Sequence, residues 1–143
     1  MNFALLHIFG YQFAPRYKDL FDKVRTSLYG FKHPSKYSAM LLKPIRKTNK
    51  QLIIDEWSNM QRIFLSLALK TTTQFIIVGK LSSYTRKNRT TRALWELDNI
   101  FRSLYLLNYI DSLTLRQNVQ RAMNRGESYL KWLRKFGHEK RPK

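Results

Sequence analysis

Apolar positions along this chain recur mostly at helical spacing. Leu20, Phe21, Val24 and Leu28 form one face, and Gly30 stands where a terminating residue would. Trp57, Met60, Phe64, Leu67 and Ala68 predict a second helix, with Asp55 and Glu56 suited to its positive N-terminal end. The clearest helix is expected over residues 91–107. There Leu94, Leu97, Phe101 and Leu104 line one face, which Ile100 and Leu107 widen. Asp111 reads as the N-cap of a further helix over 112–123, which buries Leu115, Val119 and Ala122 or Met123.

Other stretches are less periodic. Residues 11–18 contain Pro15 and alternate weakly, which predicts a short strand or an extended turn. Residues 71–78 are rich in β-branched side chains and in isolation suggest a strand, but their neighbours favour helix. Residues 30–50, with Pro34, Pro44 and many lysines, read as a long connecting loop, either functional or partly disordered. Leu130, Trp132, Leu133 and Phe136 sit at spacings a continuing helix could use, and disorder is expected from His138 onwards. The expected fold is therefore mainly α, with at most one or two short strands, one of them from 11–18.

Composition narrows the class. The 43% hydrophobic content is enough for a core in one domain of 143 residues. With no cysteine there are no disulfides or thiolate metal sites, and a cytoplasmic protein is expected. Residues 63–69, the longest apolar stretch, are too few to span a bilayer, and the apolar opening 1–14 lacks the marks of an export signal. No membrane partner is expected. Charge changes the picture most: 27 Lys+Arg face 9 Asp+Glu, a net of +18, which points to polyanions and to nucleic acid first. Residues 43–50 and 86–92 each carry four positive charges and no negative one, and residues 128–143 carry six against one. Neutral helical stretches separated by basic connectors suit a helical assembly that faces nucleic acid.

Few residues offer chemistry. His7, His33 and His138 are scattered, without metal-ligand spacing, and neither a glycine-rich phosphate loop nor a serine nucleophile motif occurs. Asp19, Asp22, Asp55, Glu56, Glu96, Asp98 and Asp111 fall on helices or caps, where solvation or pairing accounts for them. Glu127 lies in Asn124-Arg125-Gly126-Glu127, just after a helix bearing Arg116 and Arg121. On composition alone, a salt-bridge partner accounts for it too.

Longer blocks give that glutamate a different setting. The opening NFALLHIFGYQFAPRYKD resembles the block after the second catalytic Asp in transposases of the Tn-three family (TnpA type). VGKLSS at 78–83, KNRTTR at 87–92, ALWELD at 93–98, LNYID at 107–111 and LRQNVQRAMNRGESY at 115–129 continue the resemblance in order. FAPR at 13–16 and MNRGE at 123–127 are its most specific parts.

The resemblance implies an RNase H-like catalytic core with two Asp and one Glu, a DDE triad, and a helical insertion between the second Asp and the Glu. It implies that Glu127 is the third carboxylate, both catalytic and metal-binding, with Gly126 allowing close backbone approach to metal or phosphate. Two Mg²⁺ ions about 3.5–4 Å apart serve such centres in in-line phosphoryl displacement, and one carboxylate cannot hold both. The family's two aspartates lie upstream of the point where this chain begins. Residues 1–129 are thus expected to be a catalytic-domain fragment, and 130–143 a divergent basic tail. Alone it is expected to be inactive, to hold no stable Mg²⁺, and to bind DNA through Arg16, Lys18, Lys43, Arg46, Lys47, Lys50, Arg86, Lys87, Arg89, Arg92, Arg121 and Arg125. The alternatives are a small basic nucleic-acid-binding protein and a regulator of transposition that meets an intact transposase.

Overall fold

The computed structural model describes residues 2–71, Thr73, Ile76, Gly79 and 88–137. The helix expected at 71–78, the VGKLSS block, Arg86, Lys87 and the end from His138 lie wholly or mostly outside the described residues.

Six α-helices and one small sheet make up the described part. Their order is α1 (Asn2–Ile8), α2 (Leu20–Ser27), β1 (Tyr29–Gly30), a 3-10 turn (Pro34–Tyr37), β2 (Arg46–Lys47), α3 (Lys50–Asp55), α4 (Trp57–Ala68), α5 (Arg89–Asp111) and α6 (Leu113–Gly137). Among the described residues no helix is long and apolar enough to cross a membrane.

Short polar side chains start the helices. Asp19 accepts from Asp22 N at 3.0 Å, Asn49 from Leu52 N at 3.0 Å, and Asn88 from Thr90 N at 2.9 Å. At the last junction α5 runs through Asp111, and Ser112 breaks the helix and accepts from Leu115 N at 3.1 Å. The cap is therefore Ser112 and not Asp111, one residue later than the pattern suggested.

α5 is the axis, and α1, α2, α3, α4, α6 and β1 all pack on it. Its N-terminal half joins Ala4 and Leu5 of α1, Leu52 of α3 and Met60 and Phe64 of α4 around Ala93, Leu94 and Leu97. Further along, Tyr105 and Tyr109 meet Phe3 and Val119, with Phe13 and Tyr17 packed alongside. Val24 and Leu28 cover Leu106. Leu94 and Leu106 are fully buried, each a gain of ~2 kcal/mol over an exposed side chain.

Residues 30–50 are more ordered than a connecting loop. Tyr29 pairs with Arg46 and Gly30 with Lys47 as a parallel two-stranded ladder, so the strands fall here and not at 11–18. Gly30 does not end α2: Leu28, in extended conformation, does. Glycine is needed at 30 because a Cβ would stand 2.9 Å from Pro44 Cγ and 3.0 Å from the Tyr37 hydroxyl. Residues 11–18 form an extended strap without strand pairing, tied by Tyr105, whose hydroxyl donates to the Pro15 carbonyl at 2.9 Å. The helix expected from Trp57 to Ala68 is α4, with Glu56 at its N-cap, and the short α3 precedes it.

Candidate functional site

Three of the acids for which solvation or pairing was expected are paired, and they are buried and hold the body together. Asp98, with no exposed surface, accepts from Ala4 N at 3.0 Å and pairs with Arg102 at 3.0 Å, which fixes α1 to α5. Glu96 accepts from Arg46 at 2.8 Å and from Asn49 N at 3.2 Å, which ties β2 and the start of α3 to the same helix. Glu56, at the α3–α4 break, accepts from the Thr90 hydroxyl at 2.6 Å and from Asn59 at 2.9 Å. These bonds from Thr90 and Asn59, with Arg89 nearby, hold its carboxyl below the usual glutamate range. The Arg46 guanidinium is pushed up chiefly by its hydrogen bond to Glu96. At Asp98 the carboxylate answers a backbone N–H of Ala4 that would otherwise be buried without a partner.

The same contacts gather two basic runs at one end of α5. Arg46, Lys47 and Lys50 come from β2 and α3, while Arg89 and Arg92 come from the first turn of α5. The Arg46–Glu96 pair and the 3.2 Å Arg89–Asp55 pair hold them side by side. Arg46 also lies over the Tyr29 ring at 4.9 Å, and Lys50 over Phe31 at 4.5 Å. Lys47 and Arg92 are exposed, as is Lys43 just before β2. Arg16 and Lys18 are exposed elsewhere, on the strap that meets α5 at Tyr105, roughly 20 Å along the helix from Arg92 at 1.5 Å per residue.

Glu127 lies in the middle of a helix and not after one. α6 runs unbroken through 124–127 and on to Gly137. Leu115 and Val119 pack on the body, whereas every residue from Arg121 to Lys135 is exposed. Helical geometry sets Glu127 at the edge of the stripe that continues Leu115 and Val119 through Met123 and Leu130. Arg121 and Arg125 are four apart and share a different face, since a residue two away points to the opposite side. A Cβ at Gly126 would meet nothing within 4 Å. Among the described residues no three His, Cys, Asp or Glu side chains form a group that could hold a metal ion. Asp19, Asp55, Glu56, Glu96 and Asp98 are engaged in structural bonds, and Asp22 and Asp111 are single exposed acids.

The helix aromatics are unequally covered. Phe64 is buried and Phe101 half-buried, but Trp57 and Trp95 are exposed on their helices.

The NRGE glutamate thus lies on an uncovered helix of a basic, mainly helical body. The comparisons with known proteins give the family. The model of the Tn3 transposase DDE domain matches residues 1–143, and the chain belongs to that family. It is 33% identical over 126 residues to the transposase for transposon Tn1546 of Enterococcus faecium, which covers 88% of this chain and 12% of the relative. The transposase for transposon Tn21 of Escherichia coli is 36% identical over 128 residues, with the same coverages of 88% and 12%. The transposase for transposon gamma-delta of Escherichia coli (strain K12) is 28% identical over 125 residues, 87% of this chain and 12% of the relative. The chain thus spans about an eighth of these relatives' length. No solved structure matches it.

Proposed function

We propose that this chain is a DNA-facing segment of a transposase catalytic domain, which by itself binds DNA and does not cut it. The observation that carries the reading is the contrast at Glu127: the glutamate of the NRGE block lies on a helix face that the described residues leave uncovered. In the intact enzyme, Glu127 would be one ligand of a divalent-metal centre whose other carboxylates come from elsewhere in the domain. The metals would activate the attacking oxygen and stabilise the leaving oxygen of the phosphodiester. The stripe through Met123, Leu130 and Leu133 would be covered by the remaining RNase H-like core, and the six helices of this segment would correspond to the helical insertion and its flanks. Residues 130–143 would act as a basic extension.

For DNA, the support is the patch formed by Arg46, Lys47, Lys50, Arg89 and Arg92. Arg16, Lys18, Lys43, Arg86, Lys87, Arg121 and Arg125 would add further phosphate contacts. Such contacts release counterions, so affinity should fall steeply with salt. Gel shifts on random duplex across a salt series test this: a slope of log affinity on log salt of roughly −4, for four or five phosphates, is expected. Salt-independent binding, or binding that prefers transposon ends, would contradict it. A regulator that meets an intact transposase through the same uncovered stripe is the second reading, and co-purification with a full-length enzyme would favour it.

A further inference from the structure

Apart from the basic patch and Glu127, two of the hollows among the described residues bear on ligand binding. The larger, about 360 Å³, lies between β1, the 3-10 turn and α5 and is walled almost entirely by carbon. Two of its hydroxyls are already engaged: Tyr37 accepts from Lys32 N, and Ser103 accepts from Tyr29 N while donating to the Asn99 carbonyl. Its walls offer little polar edge to orient a ligand.

The smaller hollow has a different chemistry. It is a slot of about 170 Å³ between α1, the strap and α5, with aromatic walls from Phe3, Phe13, Phe101 and Tyr105. Phe3 and Phe13 meet edge to face at 4.9 Å, and the His7 ring lies against Phe101 at 4.1 Å. Gly10, with φ +77°, turns the chain so that Tyr11 and Gln12 come to the slot. The side chains of His7, Gln12 and Asn108 line it, are exposed, and make no hydrogen bond among the described residues. Two free amides, each with donor and acceptor, and an imidazole therefore stand beside a set of aromatic faces. The strap that supplies Tyr11, Gln12 and Phe13 also carries the exposed cations Arg16 and Lys18.

We propose that this slot takes a single unstacked nucleobase from bound DNA. Aromatic walls accept any base by stacking, and amide edges can pair with its ring edge, while a cation on the strap steadies the adjoining phosphate. The inference rests on the DNA reading above but is separable from it. A base leaves a duplex most cheaply where it is already unpaired. The slot should therefore prefer a duplex with one bulged base over the same duplex with an abasic residue at that position.

The test is competition binding by the full chain at fixed salt, using matched, bulged-base and bulged-abasic duplexes. The bulged base should bind roughly tenfold tighter than the abasic control, about 1.4 kcal/mol. The exposed substitutions Gln12→Ala with Asn108→Ala, or His7→Ala, should erase that preference while far-ultraviolet circular dichroism stays native. Salt-sensitive binding that ignores whether the base is present would overturn the slot and leave the DNA reading standing. A preference that survives all three substitutions would place the base elsewhere and also overturn it. No binding to any of the three duplexes would overturn both.

Discussion

α5 and α6 are nearly equal in length, at 23 and 25 residues, and opposite in what surrounds them. α5 is buried on most of its circumference, and even its polar residues Glu96, Asp98, Asn99 and Ser103 face inward. α6 is anchored at Leu115 and Val119, and its remaining apolar stripe faces outward, with Leu130 at 53% and Leu133 at 39% exposure. Propensity and intrahelical bonds alone make a helix only marginally stable in water, so tertiary cover is what separates the two. Glu127 sits on the uncovered helix, and two of the fold-holding acids, Glu96 and Asp98, sit on the covered one.

Substitutions on the two helices should sharpen that contrast first. Leu94→Ala opens a void at a site with no exposed surface and should cost about 3 kcal/mol, whereas Leu130→Ala should stay within about 0.5 kcal/mol. Urea melts with unchanged slopes would read both, and equal losses would mean that the outer half of α6 packs on something the contrast omits.

The next expected effect is that of pH on the α5 side. Burial pushes the Tyr105 and Tyr17 hydroxyls up, reinforced at Tyr105 by the neighbouring tyrosines Tyr17 and Tyr109. A raised folded value means the unfolded chain ionises first. This contribution is therefore intact below about pH 10 and is lost as pH rises beyond it. Glu56 has the opposite sign: its lowered value supports stability above about pH 4.3, and that support is lost as pH falls through the folded value. Chemical denaturation across pH should show a decline on each side. Tyr17→Phe should soften the alkaline decline, and Glu56→Gln the acid one; unchanged limbs would contradict the assigned causes.

A smaller effect is expected just past α4, where Lys70 holds a left-handed φ of 54°. Glycine takes that conformation without steric cost, so Lys70→Gly should raise stability by about 0.5 kcal/mol, read by the same urea melts. A loss would mean that the lysine side chain contributes to the cap.

Much of this architecture was legible in the spacing of apolar residues, and the rest for identifiable reasons was not. α5 follows from Leu94, Leu97 and Phe101, yet Leu104 and Leu107 on the same pattern are substantially exposed at the rim of the larger hollow. α1 spans only seven residues, too few for a helical period to declare itself, and Asp98 on a distant helix holds its first turn. The β1–β2 pair is two residues long and is set by the approach of Pro44 and Tyr37 to Gly30, which no local pattern encodes. The burial of the three acids was hidden because each also has a partner 34 to 94 positions away. Glu127 was legible only through the NRGE block, and the aromatic slot was hidden because its walls come from two ends of the chain.

The central claim is that the uncovered glutamate cannot act without carboxylates from outside this chain. A Mg²⁺-dependent nicking and strand-transfer assay on transposon-end DNA tests it most directly, run with the wild-type chain and with Glu127→Gln at protein concentrations where both shift DNA. Equal binding with no product from either protein is the expected result. Specific cleavage by the wild type that Glu127→Gln abolishes would contradict it, and would mean that this chain assembles its own metal centre.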